Sequence, residues 1–222
     1  MTIVCWSVKG GSGTTVTATS LARVLADRHG SGALLVDTAG DALLVLGQEE
    51  VQTRGVRTWL ASADDVSSDA LDLLTIDAGR NLRVLPAGDV PSSPPTSTRW
   101  RELAGYLDRR EQAVVVDLGT LSAPHRAGRR TLLESATTSL LVIRPCYLAV
   151  RRAIEFPVRP TGVILIREDD RSITGADVSA ALGVPIVATV LVDARIARTV
   201  DAGLLGSRLP RPLMRAYRHV GA

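Results

Sequence analysis

Residues 9–15 read Lys-Gly-Gly-Ser-Gly-Thr-Thr, between an apolar run at 2–8 and a stretch of helical pattern at 14–28. Gly10, Gly11 and Gly13, with Ser12 among them, let consecutive backbone N–H groups turn inward, and the start of a helix adds the positive end of its dipole. A strand–loop–helix of this kind can hold a phosphate with no side-chain cation at all. Thr15 has the place from which a hydroxyl reaches Mg²⁺. Asp117 ends the apolar run 112–117, where a carboxylate would support the same Mg²⁺ through water; capping the next turn is the plainer role for a strand-end aspartate. The common phosphate loop, G-x-x-x-x-G-K-[ST], is departed from twice: Val8 stands for its first glycine and Thr14 for its lysine.

Lys9 is the single lysine among 26 basic residues, so an unselective placement would put it there about once in 26. A slim ammonium passes between phosphates where the wider arginine fork does not. A glycine-rich turn without a ligand accounts for the glycines but not for that placement. Nucleotide binding is the expectation.

The elements that position these residues are legible as apolar runs at 2–8, 32–37, 82–86, 112–117, 138–143, 162–166 and 185–191. Their near-continuous Val, Ile and Leu content predicts strands covered on both faces, as in a parallel sheet. Helical patterns at 14–28, 98–109, 148–155, 175–182 and 194–202 fit the crossovers, which predicts an α/β, doubly wound, mostly parallel sheet with helices on both faces. Residues 86–98, rich in proline and serine, read as an exposed loop.

At this point the sequence resembles the ParA/MinD branch of deviant P-loop ATPases, whose loop reads K-G-G-x-G-K-[ST]. The loop is similar to the "KGGVGTT" of a CpaE- and TadZ-like sub-branch that places pilus-assembly machinery at cell poles. Residues 34–47 (LLVDTAGDALLVLG) look like that sub-branch's second-strand motif, 81–88 (NLRVLPAG) like its G-L-R-V-L-P-A-P, 113–119 (AVVVDLG) like its Walker B strand, and 192–210 like its last interface helix. The resemblance implies ATP and Mg²⁺ as ligands, held by Lys9, Gly10, Gly11, Ser12, Gly13, Thr14 and Thr15, with Thr15 and Asp117 toward the metal. It implies that Lys9 reaches across a homodimer interface to the partner's nucleotide, and that Asp37, first acid of the switch motif D-x-D, orients the attacking water. The second acid is Ala39, or is lost in a deletion if alignment runs through Gly40-Asp41. Together with Thr14 this points to binding with slow or absent turnover.

Other candidates carry less. Arg126, Arg129 and Arg130 follow the Walker B-like strand and could bring charge to phosphate in place of the missing lysine, although a solvated basic face is the plainer reading. His125 has no companion at metal-ligand spacing. Loops such as 144–147 (RPCY) line the base pocket in the family, and where members often carry an asparagine this chain has Ile166-Arg167, which leaves the base open.

The tail 211–222 puts Leu213, Met214, Tyr217 and Val220 on one helical face and Arg211, Arg215, Arg218 and His219 on the other. It would either reach a membrane, as the C-terminal helix of MinD does, or pack as a last helix on the sheet. With 222 residues, 45% of them apolar, a net charge of +3 and no run long enough for a bilayer, one domain spanning 1–222 is expected. The start lacks the basic and apolar segments of a secretion signal, and Cys5 and Cys146 make no disulfide framework, so the cytoplasm is the expected compartment, with recruitment to a pole, septum or inner membrane surface. Two further functions stay open beside the spatial switch: a ParA-type partition protein gripping DNA phosphates nonspecifically, and a nucleotide-free scaffold.

Overall fold

The computed structural model describes residues 1–48, 52–63, 65–121, 126–169 and 171–221, with the backbone alone for 126 and 127. The chain runs β1 (Thr2–Ser7), α1 (Thr14–Arg28), β2 (Ala33–Asp37), α2 (Ala42–Leu46), α3 (Val56–Leu60), α4 (Ala70–Leu74), β3 (Ile76–Asp77), β4 (Leu82–Leu85), α5 (Ser97–Asp108), β5 (Ala113–Thr120), α6 (Arg126–Ser135), β6 (Thr138–Ile143), α7 (Tyr147–Glu155), β7 (Gly162–Arg167), α8 (Gly175–Leu182), β8 (Ile186–Leu191), α9 (Ala194–Asp201) and α10 (Arg211–Tyr217). The eight strands form one sheet in the order β3-β4-β2-β5-β1-β6-β7-β8, parallel throughout except for the two-residue β3 against β4. The doubly wound α/β reading is therefore the observed fold.

Period-two alternation divides the core. Ile3 and Cys5 of β1 and Val115 of β5 face a layer built with α1, α2, α9 and α10, whereas Val4, Trp6, Val114 and Val116 face the layer of α3, α5, α6, α7 and α8. Trp6, wholly buried, donates its Nε1–H to Ser139 Oγ at 2.9 Å and packs on Phe156 with ring centroids 4.6 Å apart. On the other side, the small Ala18 and Ala22 of α1 sit one turn apart in the layer against the sheet.

Two expectations need correction, and the tail takes one of the two courses left open for it, that of a last helix packed on the sheet. The run 185–191 is not covered on both faces: β8 is an edge strand, and Val187 (40% exposed) and Leu191 (45%) point outward. The loop 86–98 is exposed only from Gly88 on, because Pro86 and Ala87 are buried and their carbonyls accept the Val56 and Arg57 N–H groups. The tail forms α10, and its apolar face is spent inside: Leu213, Tyr217 and Val220 are buried in the α1 layer and only Met214 is left outside. Tyr217 Oη and Thr17 Oγ1 share a buried hydrogen bond of 3.1 Å. Among the described residues no helix is long and apolar enough to cross a membrane.

One close approach ties distant segments together. Gly47, which ends α2 at φ +80°, meets Gly203 beyond α9 backbone to backbone: a Cβ on Gly47 would lie 2.1 Å from the Gly203 carbonyl oxygen.

Candidate functional site

β1 lies at the point where the chain stops adding strands on one side of the sheet and starts on the other, and the crevice beyond the strand ends at such a switch point is where open α/β sheets bind ligands. Three adjacent strand ends converge there. The loop 8–13 leaves β1, the turn 38–41 leaves β2, and residues 118–120 close β5. Gly11, Ser12, Gly13, Thr14 and Thr15 line a cavity of ≈ 420 Å³ together with Ala39, Asp41, Gly119, Thr120 and Arg129. Gly13 caps α1 in the left-handed region at φ +83°. A Cβ built on Gly10 or Gly11 would meet nothing within 4 Å, so these two backbones stand open to a ligand. Ser12 is buried and its hydroxyl donates to the Lys9 carbonyl at 2.7 Å, which braces the loop.

Asp37 and Asp117 lie side by side in register on β2 and β5. Their environments separate them. Asp37 is buried, and its carboxylate is committed to backbone: Oδ1 accepts from Ala39 N–H (2.8 Å) and Gly40 N–H (2.7 Å), and Oδ2 from Ala42 N–H (3.0 Å). Burial raises its pKa against the pull of those three N–H groups and of Arg57. Asp117 Oδ1 accepts from Gly119 N–H at 2.9 Å, whereas Oδ2 is buried with no hydrogen-bond partner among the described residues. Burial pushes the Asp117 carboxyl up to about 7, with Asp37 and Asp41 adding to the rise and the neighbouring Thr15 hydroxyl and the Gly119 N–H opposing it. A buried carboxylate with one oxygen unused beside a threonine hydroxyl suits a hard divalent cation, so this chain's own groups fit Mg²⁺. Thr38 steadies the strand end: both its N–H (3.0 Å) and its hydroxyl (2.8 Å) donate to the Asp117 carbonyl.

The other expected residues sort as follows. Thr14 is buried and lines the cavity, carrying no charge. Lys9 is half-exposed and outside the cavity lining, with Glu168, past the end of β7, as a carboxylate that feels its charge. Ala39 and Asp41 both reach the cavity. His125 and the Arg126 side chain lie outside the described residues. Arg130 is solvated and paired with Glu134 at 2.6 Å. Arg129 is not on a solvated face, for it turns in against the Leu118 carbonyl. Arg57, which the sequence did not single out, donates to the Thr38 and Ala39 carbonyls and so clamps the turn after β2.

No family model matches the sequence, and no curated protein shows significant sequence similarity to it. Solved structures do match in shape. A ParA family ATPase from Chlorobium tepidum superposes with a TM-score of 0.78 at 20% identity, covering 98% of this chain and 95% of that one. The septum site-determining protein MinD from Pyrococcus horikoshii, complexed with Mg-ADP, gives 0.75 at 20%, over 98% and 93%. An ATP complex of a Cyanothece McdA variant gives 0.72 at 20%, over 98% and 93%. A strand-ordered, glycine-looped sheet matched nearly end to end by these proteins has the fold of the ParA/MinD P-loop NTPases.

Proposed function

We propose that the protein binds ATP with Mg²⁺ and uses the bound nucleotide to close a homodimer, a spatial switch for placing pilus, secretion or division machinery. The observation that carries this reading is the buried Asp117 carboxylate, beside the Thr15 hydroxyl at the start of the helix that follows the glycine loop, with an Oδ2 that has no hydrogen-bond partner among the described residues. Gly10–Gly13 would hold the phosphates through backbone N–H groups, and Thr15 and Asp117 would hold the metal, Asp117 through water. Solved neighbours of the same fold carry Mg-ADP or ATP, and one is a septum site-determining protein, another a MinC:MinD complex, which supports a positioning role. The loop without its second lysine supports the CpaE/TadZ-like branch. Slow turnover is supported by three features: Thr14 carries no charge, Ala39 no carboxylate, and both Asp37 oxygens are occupied by the turn they hold. On this reading Asp37 shapes the turn rather than orienting water, and Lys9 serves the facing subunit.

Calorimetric titration with ATP and Mg²⁺, followed by light scattering, tests it. The expected result is saturable binding and a doubling of mass; a protein that ignores saturating ATP refutes it in favour of the nucleotide-free scaffold. A second reading, a nonspecific DNA partner, has its own observation: Arg195, Arg198, Arg208 and Arg211 line a groove of ≈ 790 Å³ between α9 and α10. Retention on DNA that falls steeply with salt would favour it.

A further inference from the structure

We propose that Arg129, from the helix after β5, contacts the terminal phosphates of the bound nucleotide and so supplies the positive charge that Thr14 does not. The inference rests on the nucleotide-binding reading above and adds a residue to it. Arg129 and residues 11–16 line the same cavity. Among the described residues the guanidinium has one hydrogen bond, Nη1 to the Leu118 carbonyl at 3.3 Å, and no carboxylate within ion-pair distance. It is largely buried, and the nearby Arg57 adds a like charge, while Asp117 is the group that eases it. A cation withdrawn from water toward another cation, without an ion pair, is unfavourable until an anion enters the cavity.

The local fold holds it there. Gly128 packs so tightly on the Trp100 indole that a Cβ would lie 2.0 Å from the ring, which fixes the first turn of α6 against α5. Leu132 and Leu133 are buried, and Arg129 shares their helix face three and four residues earlier, whereas Arg130 points out to Glu134. A planar fork that remains charged when desolvated grips phosphate oxygens bidentately, so it can replace a lysine whose ammonium would have come from position 14.

Arg129 also borders a second cavity of ≈ 480 Å³ with Thr38, Arg57, Pro94 and Trp100, so the test must tell the two apart. Affinities for Mg-ATP, ADP and AMP are measured by calorimetry on wild type, Arg129→Met, Arg129→Lys, Thr14→Lys and the Thr14→Lys/Arg129→Met double variant, with a melting curve of each. Arg129→Met should weaken ATP roughly 10- to 100-fold and AMP hardly at all. Arg129→Lys should keep part of the affinity, and the double variant should regain most of it, since a charge at position 14 serves the same phosphates. Wild type that binds no nucleotide overturns the nucleotide reading itself. Wild type that binds while Arg129→Met binds equally well, loses ATP and AMP alike, or is not rescued by Thr14→Lys overturns the role of Arg129 alone. Should Arg129→Met not fold, Arg129→Gln gives the same comparison with a polar side chain.

Discussion

Replacing Asp117 by Asn removes the ionisable group while leaving an oxygen to accept the Gly119 N–H. In the metal-free protein the carboxyl is pushed from 3.8 to about 7, first by burial, then by Asp37 and Asp41 against the Thr15 hydroxyl and the Gly119 N–H. The folded state therefore holds this proton more tightly than the unfolded chain does. The ionisation penalty is absent below about 3.8, grows through the interval and is complete above about 7, so stability is lost as pH rises. A gap of about 3 units at ~1.4 kcal/mol each amounts to about 4 kcal/mol when fully ionised, of which roughly 2–3 kcal/mol develops between pH 5 and pH 8. Urea unfolding in EDTA at several pH values reads this directly. Asp117→Asn should gain about 2–3 kcal/mol on wild type between pH 5 and pH 8. Its constant offset, set by an amide N–H₂ where Oδ2 had no partner, does not affect that slope. Mg²⁺ with ATP should flatten the wild-type profile, because a cation replaces the proton. Parallel profiles for wild type and Asp117→Asn from pH 5 to pH 8 would refute the reasoning.

Lys9→Ala should leave nucleotide binding measurable, because the backbone cradle remains, but abolish ATP-dependent dimerisation in light scattering; dimerisation equal to wild type counts against the cross-subunit role. Thr14→Lys alone should tighten Mg-ATP about tenfold and raise phosphate release only modestly, since Ala39 still supplies no carboxylate. Removing residues 211–222 should lower the melting temperature by uncovering α1, and neither form should float with anionic liposomes; flotation of the full chain would restore the tail as a membrane element. Tyr217→Phe should cost about 1 kcal/mol in urea unfolding through loss of the buried bond to Thr17, with Thr17→Val on the same background recovering part of it.

The sheet was readable because seven of its strands are runs rich in Val, Ile and Leu, and the phosphate loop because its glycines come just after the first run. The helices α2, α3 and α4 escaped because five residues are too few to show a 3.6-residue period. That β8 is an edge strand depends on where its neighbours lie, which an apolar run does not encode. At the site, residue types were legible but not their partners. The commitment of Asp37 to three N–H groups depends on how the turn 38–42 folds back, and nothing in D-T-A-G-D announces it. Arg129 was within reach: its spacing to Leu132 and Leu133 is that of a buried helix face, a signal outweighed by the cluster of charge around it.

The meeting of Gly47 and Gly203 restricts which sequences this fold can explore. Most tight contacts can be relieved by shrinking a neighbour, but here both neighbours are already the smallest residue, and the atoms that a new Cβ on Gly47 would strike are backbone. On the other side a Cβ at Gly203 would sit 3.1 Å from both Gly47 Cα and the Leu44 carbonyl oxygen, and Gly206 is similarly pressed on the Leu46 carbonyl. No second substitution can compensate for the first; only displacement of the main chain can. That displacement would be felt at the opposite end of α2, whose first residue, Ala42, is fastened to Asp37. Gly47→Ala thus acts as a wedge driven in five residues from the turn it disturbs, and variants of this protein that tolerate it will have rebuilt the connection after α9 rather than changed a single side chain.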